Sequence, residues 1–405
     1  MSVPDLSTRP AIGFREFVGL VAALMAVNAL AIDSMLPALP EIADAVGVRA
    51  DNQRQWIITA YLLGFGGAQI VYGTLADRFG RRPVLLASLA IYAVTSLIAA
   101  FAISLPALLF ARAAQGIGAA GARVLTISIV RDRYAGTQMA RVMSLSFIVF
   151  LAVPIIAPTL GQLIMLVAPW RWIFVLLAAF GGAVALWAAL RLPESLAPAD
   201  RIPIRFGRVA RTFLTVLGHR SSVGYTLAMT AMLGSIFAFI NSAQQVFADT
   251  FGAAQLFAPI FAAIAAFMAA ASLTNSHLVG RLGPRRICHL ALLGYIGMGA
   301  LHLLVVLAGY SSLLTFAALQ AGLMFCFGLA APNFGALAME PMGHVAGTAS
   351  AVQGFVTTVG GALIGFAVGQ SYDGTVLPLV AGLLGCGVAA LACVLCAERG
   401  RFLRS

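Results

Sequence analysis

The sequence predicts an all-α membrane protein: twelve transmembrane helices in two pseudo-symmetric six-helix bundles, with both termini cytoplasmic. Three observations lead there. Of the 405 residues, 61% are apolar and 10% charged, far from the balance of soluble domains. Apolar runs of roughly 20 residues, the length a helix needs to cross about 30 Å of hydrocarbon, recur about twelve times. A charged loop, finally, returns in the second half at the same place in the order of spans.

The spans fall near 15–38, 56–76, 83–103, 106–128, 142–165, 171–190, 222–247, 254–276, 287–308, 312–333, 345–370 and 375–396. They lack the period-two alternation of a β-barrel, so helices remain as the way to satisfy the backbone in lipid. The first follows Arg9 and Arg15, a charged start like that of a signal peptide. It is too long for one and lacks a small-residue cleavage site, so it stays as a helix. The second and third are joined by GTLADRFGRR at 73–82. The fourth carries Arg112, Gln115 and Arg123, and the fifth holds FLAVPIIAPTLGQLI with its two prolines. The longest hydrophilic break, 191–221, is rich in arginine and proline and reads as a linker between an N-terminal bundle, 1–190, and a C-terminal bundle, 222–405. The seventh span brings Asn241, Gln244 and Gln245, and the eighth and ninth are joined by LVGRLGPRRIC at 278–288, an echo of LADRFGRRPVL at 75–85. Two related six-span halves are the pattern of a transporter built from parallel repeats, with a cavity between them at mid-membrane.

The formal net charge of +11 is a matter of topology, which leaves no reason to expect nucleic acid as a partner. There is no lysine; of 25 arginines, 20 lie in the termini or the even-numbered gaps, three in the odd-numbered gaps (Arg49, Arg54, Arg171) and two inside a span. The positive-inside rule then puts both ends and the even gaps in the cytoplasm. The five cysteines lie in or beside apolar spans with no zinc-like spacing, so packing is their expected role. No HExxH, clustered histidines or phosphate-cradling loop points to an enzyme.

GTLADRFGRR resembles the signature loop of the major facilitator superfamily. AIDSMLPALPEIA (31–43), RAAQGIGAAGARV (112–124) and ALAMEPMGHVAGTASAVQGF (336–355) resemble the bicyclomycin and chloramphenicol exporters, drug/proton antiporters of that superfamily. The resemblance covers essentially the whole chain. It implies a cytoplasmic gate in which Asp77 docks on the eleventh helix while Arg81 bridges to Asp132, with Gly73 and Gly80 allowing close approach and a tight turn. Arg78 and Arg82 read as topology anchors, and Glu340 belongs to the same gate. Gly280 replaces the acid in the second-half echo, so an asymmetric latch is expected. In the fifth span Pro158 and Gly161 match the antiporter helix-packing motif, whereas Val153, Ala157 and Gln162 stand where the fuller motif has glycine.

Asp33, Arg112 and Arg123 are ionisable residues inside spans, where each costs several kcal/mol unless paired or hydrated. Asp33 lies about 24 Å up the first helix from Phe17, and Arg112 about 9 Å below Pro106, so both fall in the outer half of the membrane. Asp33 is the expected proton and substrate site, with Arg112 pairing or alternating with it through the cycle; the other reading of the two is a structural ion pair. Arg123 shares a helix face with Arg112 and either lines the cavity or snorkels to the cytoplasmic surface. Asn28, Tyr61, Gln115, Asn241, Gln244 and Gln245 complete the expected cavity, the last three with hydrogen bonding between helices as the other reading, and Phe147, Phe150, Phe237 and Phe239 are candidate apolar walls. His302, alone in the ninth span, reads as packed or hydrogen-bonded. The expected function is proton-coupled efflux of small amphipathic or lipophilic compounds across a bacterial inner membrane, by a monomer with no cofactor beyond protons. The alternative is a carrier of the same fold for a specific metabolite, uncoupled or coupled differently.

Overall fold

Proline and glycine decide where the helices begin, end and break. The structure, a computed structural model, describes residues 12–48, 50–203 and 206–399. The side chains of 51, 136–137, 140, 147–150, 206, 208–212 and 343–347 fall outside the description, so Arg9, Arg49 and the side chains of Phe147 and Phe150 lie outside the described residues. Among the described residues the chain is helical and twelve helices are long and apolar enough to cross a membrane. The order is α1 (Phe14–Asp33), α2 (Leu39–Ala45), α3 (Trp56–Phe79), α4 (Arg81–Ala100), α5 (Leu105–Arg133), α6 (Gly136–Val167) and α7 (Arg171–Arg191), then α8 (Phe206–Gly218) in the linker. The second half follows with α9 (Arg220–Gln245), α10 (Phe257–Leu282), α11 (Pro284–Leu307), α12 (Leu313–Met339), α13 (Ala346–Gln370) and α14 (Leu377–Ala397).

Most helices overrun the apolar windows that announced them. Thus α3 runs on through Asp77 to Phe79, and α5 through Asp132 to Arg133, because helical hydrogen bonding continues into the interface after hydrophobicity stops. The first span differs in kind. Its helix stops at Asp33, a 3-10 turn covers 36–38, and α2 begins at Leu39. Pro37 and Pro40 lack the N–H groups an unbroken helix would use, and the Ser34 hydroxyl turns back to the Leu30 carbonyl at 2.7 Å.

Helices α1 and α3–α7 pack on one another, as do α9–α14, and the two groups meet mainly where α3 lies along α13 and α6 along α10. Small residues set the spacing. In α5, a Cβ on Gly116 would fall onto the Tyr61 carbonyl and lie 2.8 Å from the Phe65 nitrogen, so α3 touches α5 backbone to backbone. In α6, a Cβ on Gly161 would fall onto the Ser34 carbonyl and lie 3.2 Å from Pro37 Cγ. The motif residue Gly161 therefore seats α6 directly against the break that ends α1. Ala157 and Val153, which stand where glycine was expected, pack with Ala26 and Ala29 of α1, so alanine is small enough there.

Candidate functional site

Asp33 ends α1, and its side chain enters a small cavity between the two helix groups. Pro154 of α6 lies on its side of the cavity; Ile236, Phe239 and Ile240 of α9, Phe261 of α10 and Met324 of α12 face it from the other. Asp33 is 5% exposed, and no described residue forms a hydrogen bond or ion pair with its carboxylate. A carboxylate in such surroundings strongly favours either a proton or a positively charged visitor. The cavity holds about 90 Å³, room for a few waters, whereas drug-sized ligands occupy pockets of roughly 300–1,000 Å³. Of the four phenylalanines named as candidate walls, Phe239 lines this cavity, whereas Phe237 packs against Gly365 of α13.

Arg112 is not paired with Asp33 in this conformation, so the structural ion pair is absent. Fully buried, it donates to the Ala31 carbonyl at 3.1 Å, the Ile57 carbonyl at 3.3 Å and Gln115 Oε1 at 2.5 Å. Its guanidinium carbon lies 4.5 Å from the Tyr61 ring centre and 5.8 Å from that of Phe174. The Ala31 carbonyl lies in the last turn of α1, where it has no intrahelical donor, and the planar fork reaches it and the Ile57 carbonyl in the first turn of α3 at once. Arginine therefore grips the backbone two residues before Asp33 and leaves the carboxylate free. Around it, Tyr61 donates to Asn28 Oδ1 at 2.9 Å and Gln115 to the Ser96 hydroxyl at 2.6 Å. Tyr61 and Gln115 are completely buried, so they support the site from behind rather than line it.

The other expected cavity residues divide. Arg123 is exposed on the helix face it shares with Arg112, with Phe65 5.9 Å from its guanidinium. Asn241 is buried, and neither of its amide atoms finds a partner among the described residues. Gln244 and Gln245 do not face Asp33; they join an interlock between the two halves at the end of the bundle away from the arginine-rich loops. There Arg54 donates to Gln244 at 3.1 Å and forms an ion pair with Asp249. Gln55 reaches Gln245 at 2.6 Å and the Gly369 carbonyl at 2.9 Å, and Asn52 donates to the carbonyls of Gln370 and Tyr372. Hydrogen bonding between helices was the second sequence reading for Gln244 and Gln245, whereas Asn52, Gln55 and Asp249 carried no expectation. The one other signal was Arg54, an arginine on the face that the other loops leave poor in positive charge.

At the arginine-rich end, the described ion pairs stay within each half. Arg81 bridges to Asp132 at 3.0 Å as expected, but it also holds Asp77 at 2.6 Å, and no hydrogen bond or ion pair among the described residues joins Asp77 to α13, the eleventh span, on which it was expected to dock. Glu194, unremarked in the sequence, accepts from the backbone N–H groups of Arg81 and Arg82 and so caps the start of α4. Gly80 is required there twice over: φ is +101°, and a Cβ would lie 2.5 Å from the Glu194 carboxylate. Gly73 has nothing within 4 Å of its Cβ position, so the close approach expected of it is absent in this conformation. Arg82 is more than an anchor, since it donates to the Ala189 carbonyl at the end of α7. The second half has a latch of its own, with Arg285 bridging Glu340 at 3.0 Å and Glu398 at 3.4 Å. Its acids come from beyond α12 and α14, which is why position 280 can be glycine. His302 packs against Phe316, and Cys396 is exposed rather than packed.

Comparison with known proteins agrees with this architecture. Residues 21–365 match the family model described as Major Facilitator Superfamily. The chain is 30% identical over 383 residues to the uncharacterized MFS-type transporter YdgK of Bacillus subtilis, covering 93% of this chain and 92% of that one. It is 28% identical over 379 residues to a bicyclomycin resistance protein homolog of Haemophilus influenzae, covering 93% and 94%. Multidrug resistance protein D of Escherichia coli is also 28% identical, over 350 residues, with 85% and 86% covered. In fold it is similar to a D-xylose-proton symporter, with a TM-score of 0.72 at 13% identity over 96% of this chain and 98% of the other.

Proposed function

The chain belongs to the Major Facilitator Superfamily, a family of transporters rather than enzymes, and from that premise we propose that it exports small amphipathic or lipophilic compounds in exchange for protons. The observation that carries this reading is Asp33, an unpaired carboxylate in an apolar cavity between the two halves. Proton and substrate compete for it: protonation removes the charge that a cationic or strongly polarised compound needs, and the compound's arrival expels the proton. Two relatives named for bicyclomycin and multidrug resistance favour drug-like cargo over a single metabolite. The arginine distribution supports a bacterial cytoplasmic membrane with the Arg81 end inside.

Alternating access follows from the two ends. The outer interlock is closed here, while Arg81, Asp77 and Asp132 form the inner gate, with Glu340 in the second half's counterpart. Each chain supplies both halves of its cavity, so a monomer suffices. The test is proton release from detergent-solubilised protein on adding chloramphenicol, a bicyclomycin-like compound or a lipophilic cation. Wild type is expected to release protons and Asp33→Asn none. Binding without release in either would replace this reading with an uncoupled carrier.

A further inference from the structure

We propose that a groove beside the linker helix binds one anionic phospholipid, its phosphate held by Arg220 and an acyl chain lying between α9 and α14. The groove encloses about 490 Å³ and is lined by Leu217, Val223, Leu227, Ala392 and Cys396, with Arg220 at its mouth. Close packing forms its floor, since a Cβ on Gly224 would lie 2.5 Å from the Ala397 methyl and 2.9 Å from the Cys393 carbonyl. It opens sideways, where Leu227 and Leu395 are themselves exposed on spanning helices, so its natural occupant comes from the bilayer rather than from water.

Helix α8 supports this placement. It rests Val216 on Met342 and Ala349 while Leu214 and Leu217 are 68% and 55% exposed. An amphipathic helix with outward leucines, joined directly to a spanning helix, lies in the membrane interface at headgroup depth. Charge selects the headgroup. Arg220 uses Nε on the Cys396 carbonyl, and its terminal nitrogens meet no acceptor among the described residues. The lining contains no carboxylate, and nearby Glu398 is engaged by Tyr225 and Arg285. A zwitterionic headgroup would bring an ammonium with nothing to meet it, whereas a net negative one suits basic sites between spanning helices. Such a lipid ties the start of α9 to the end of α14, independently of any proton coupling.

Native mass spectrometry of the full protein, purified in mild detergent with equal phosphatidylglycerol and phosphatidylethanolamine, tests the site. Wild type and Arg220→Lys are expected to retain phosphatidylglycerol preferentially, and Arg220→Gln to retain about fivefold less. Equal retention by Arg220→Gln, or no headgroup preference in wild type, overturns the proposal. A second readout needs no variant: maleimide modification of Cys396, mapped by peptide mass, is expected to be at least about threefold slower in phosphatidylglycerol nanodiscs than in phosphatidylcholine nanodiscs. Equal rates count against it.

Discussion

Two side chains carry most of the chemistry, and each is defined by what it lacks. Among the described residues Asp33 meets no cation and Arg112 no carboxylate; the arginine spends donors on a carbonyl at the end of α1 and one in the first turn of α3. If Asp33 is the site where protons and cations compete, a lipophilic cation binds more tightly as pH rises and the carboxylate loses its proton. Titrating affinity by calorimetry between pH 5 and 9 checks this, and the slope should vanish in Asp33→Asn. Arg112→Lys keeps the charge but cannot spread one planar fork over Ala31, Ile57 and Gln115. We expect substrate-induced proton release to fall about tenfold or more while the melting temperature changes little. A large loss of stability with coupling intact would mean that Arg112 merely holds the bundle together.

At the scale of elements, the site exists because helices come unusually close. Gly116 lets α5 touch α3, and Gly161 lets α6 reach the Ser34 carbonyl where α1 breaks. A side chain at either place meets backbone, which cannot swing aside as a flexible side chain would. Gly116→Val should therefore cost about 3 kcal/mol, at the upper end for overpacking, read as a lowered thermal transition in detergent. The same change at Gly182, whose Cβ position is open, should be nearly silent. Helix α8 belongs to this scale too. Its apolar residues Phe213, Val216 and Leu217 recur at helical spacing inside a stretch read simply as linker, but arginine and proline density outweighed a short periodicity.

For the whole molecule, the question is what holds one end shut. The Arg54–Asp249 pair and the amides around it span the halves, while the pairs at the Arg81 end do not. Asp249 is 43% exposed, so solvent screens the pair and its contribution is about 1 kcal/mol. Arg54→Ala or Asp249→Ala should shift the balance about fivefold towards the state open at that end. Spin-label distances across the interlock report the shift, and the double variant should move it no further than Arg54→Ala alone, which also loses the Gln244 contact. Additive shifts would show that the two residues act separately.

Hydrophobicity by itself determined the twelve spans, the halves and the arginine-rich face, because a bilayer imposes one length and one charge rule on every helix regardless of its neighbours. The Arg81–Asp132 bridge was also legible, since its members sit at helix ends in or beside a recognisable motif. Tertiary structure decided the rest. Which acceptors Arg112 reaches, that Gln244 and Gln245 serve an interlock rather than the cavity, and that Glu194 and Glu398 complete the latches all depend on residues far apart in the chain. A polar side chain inside a span announces only that burying it is costly; where its partner lies is set by how the helices pack.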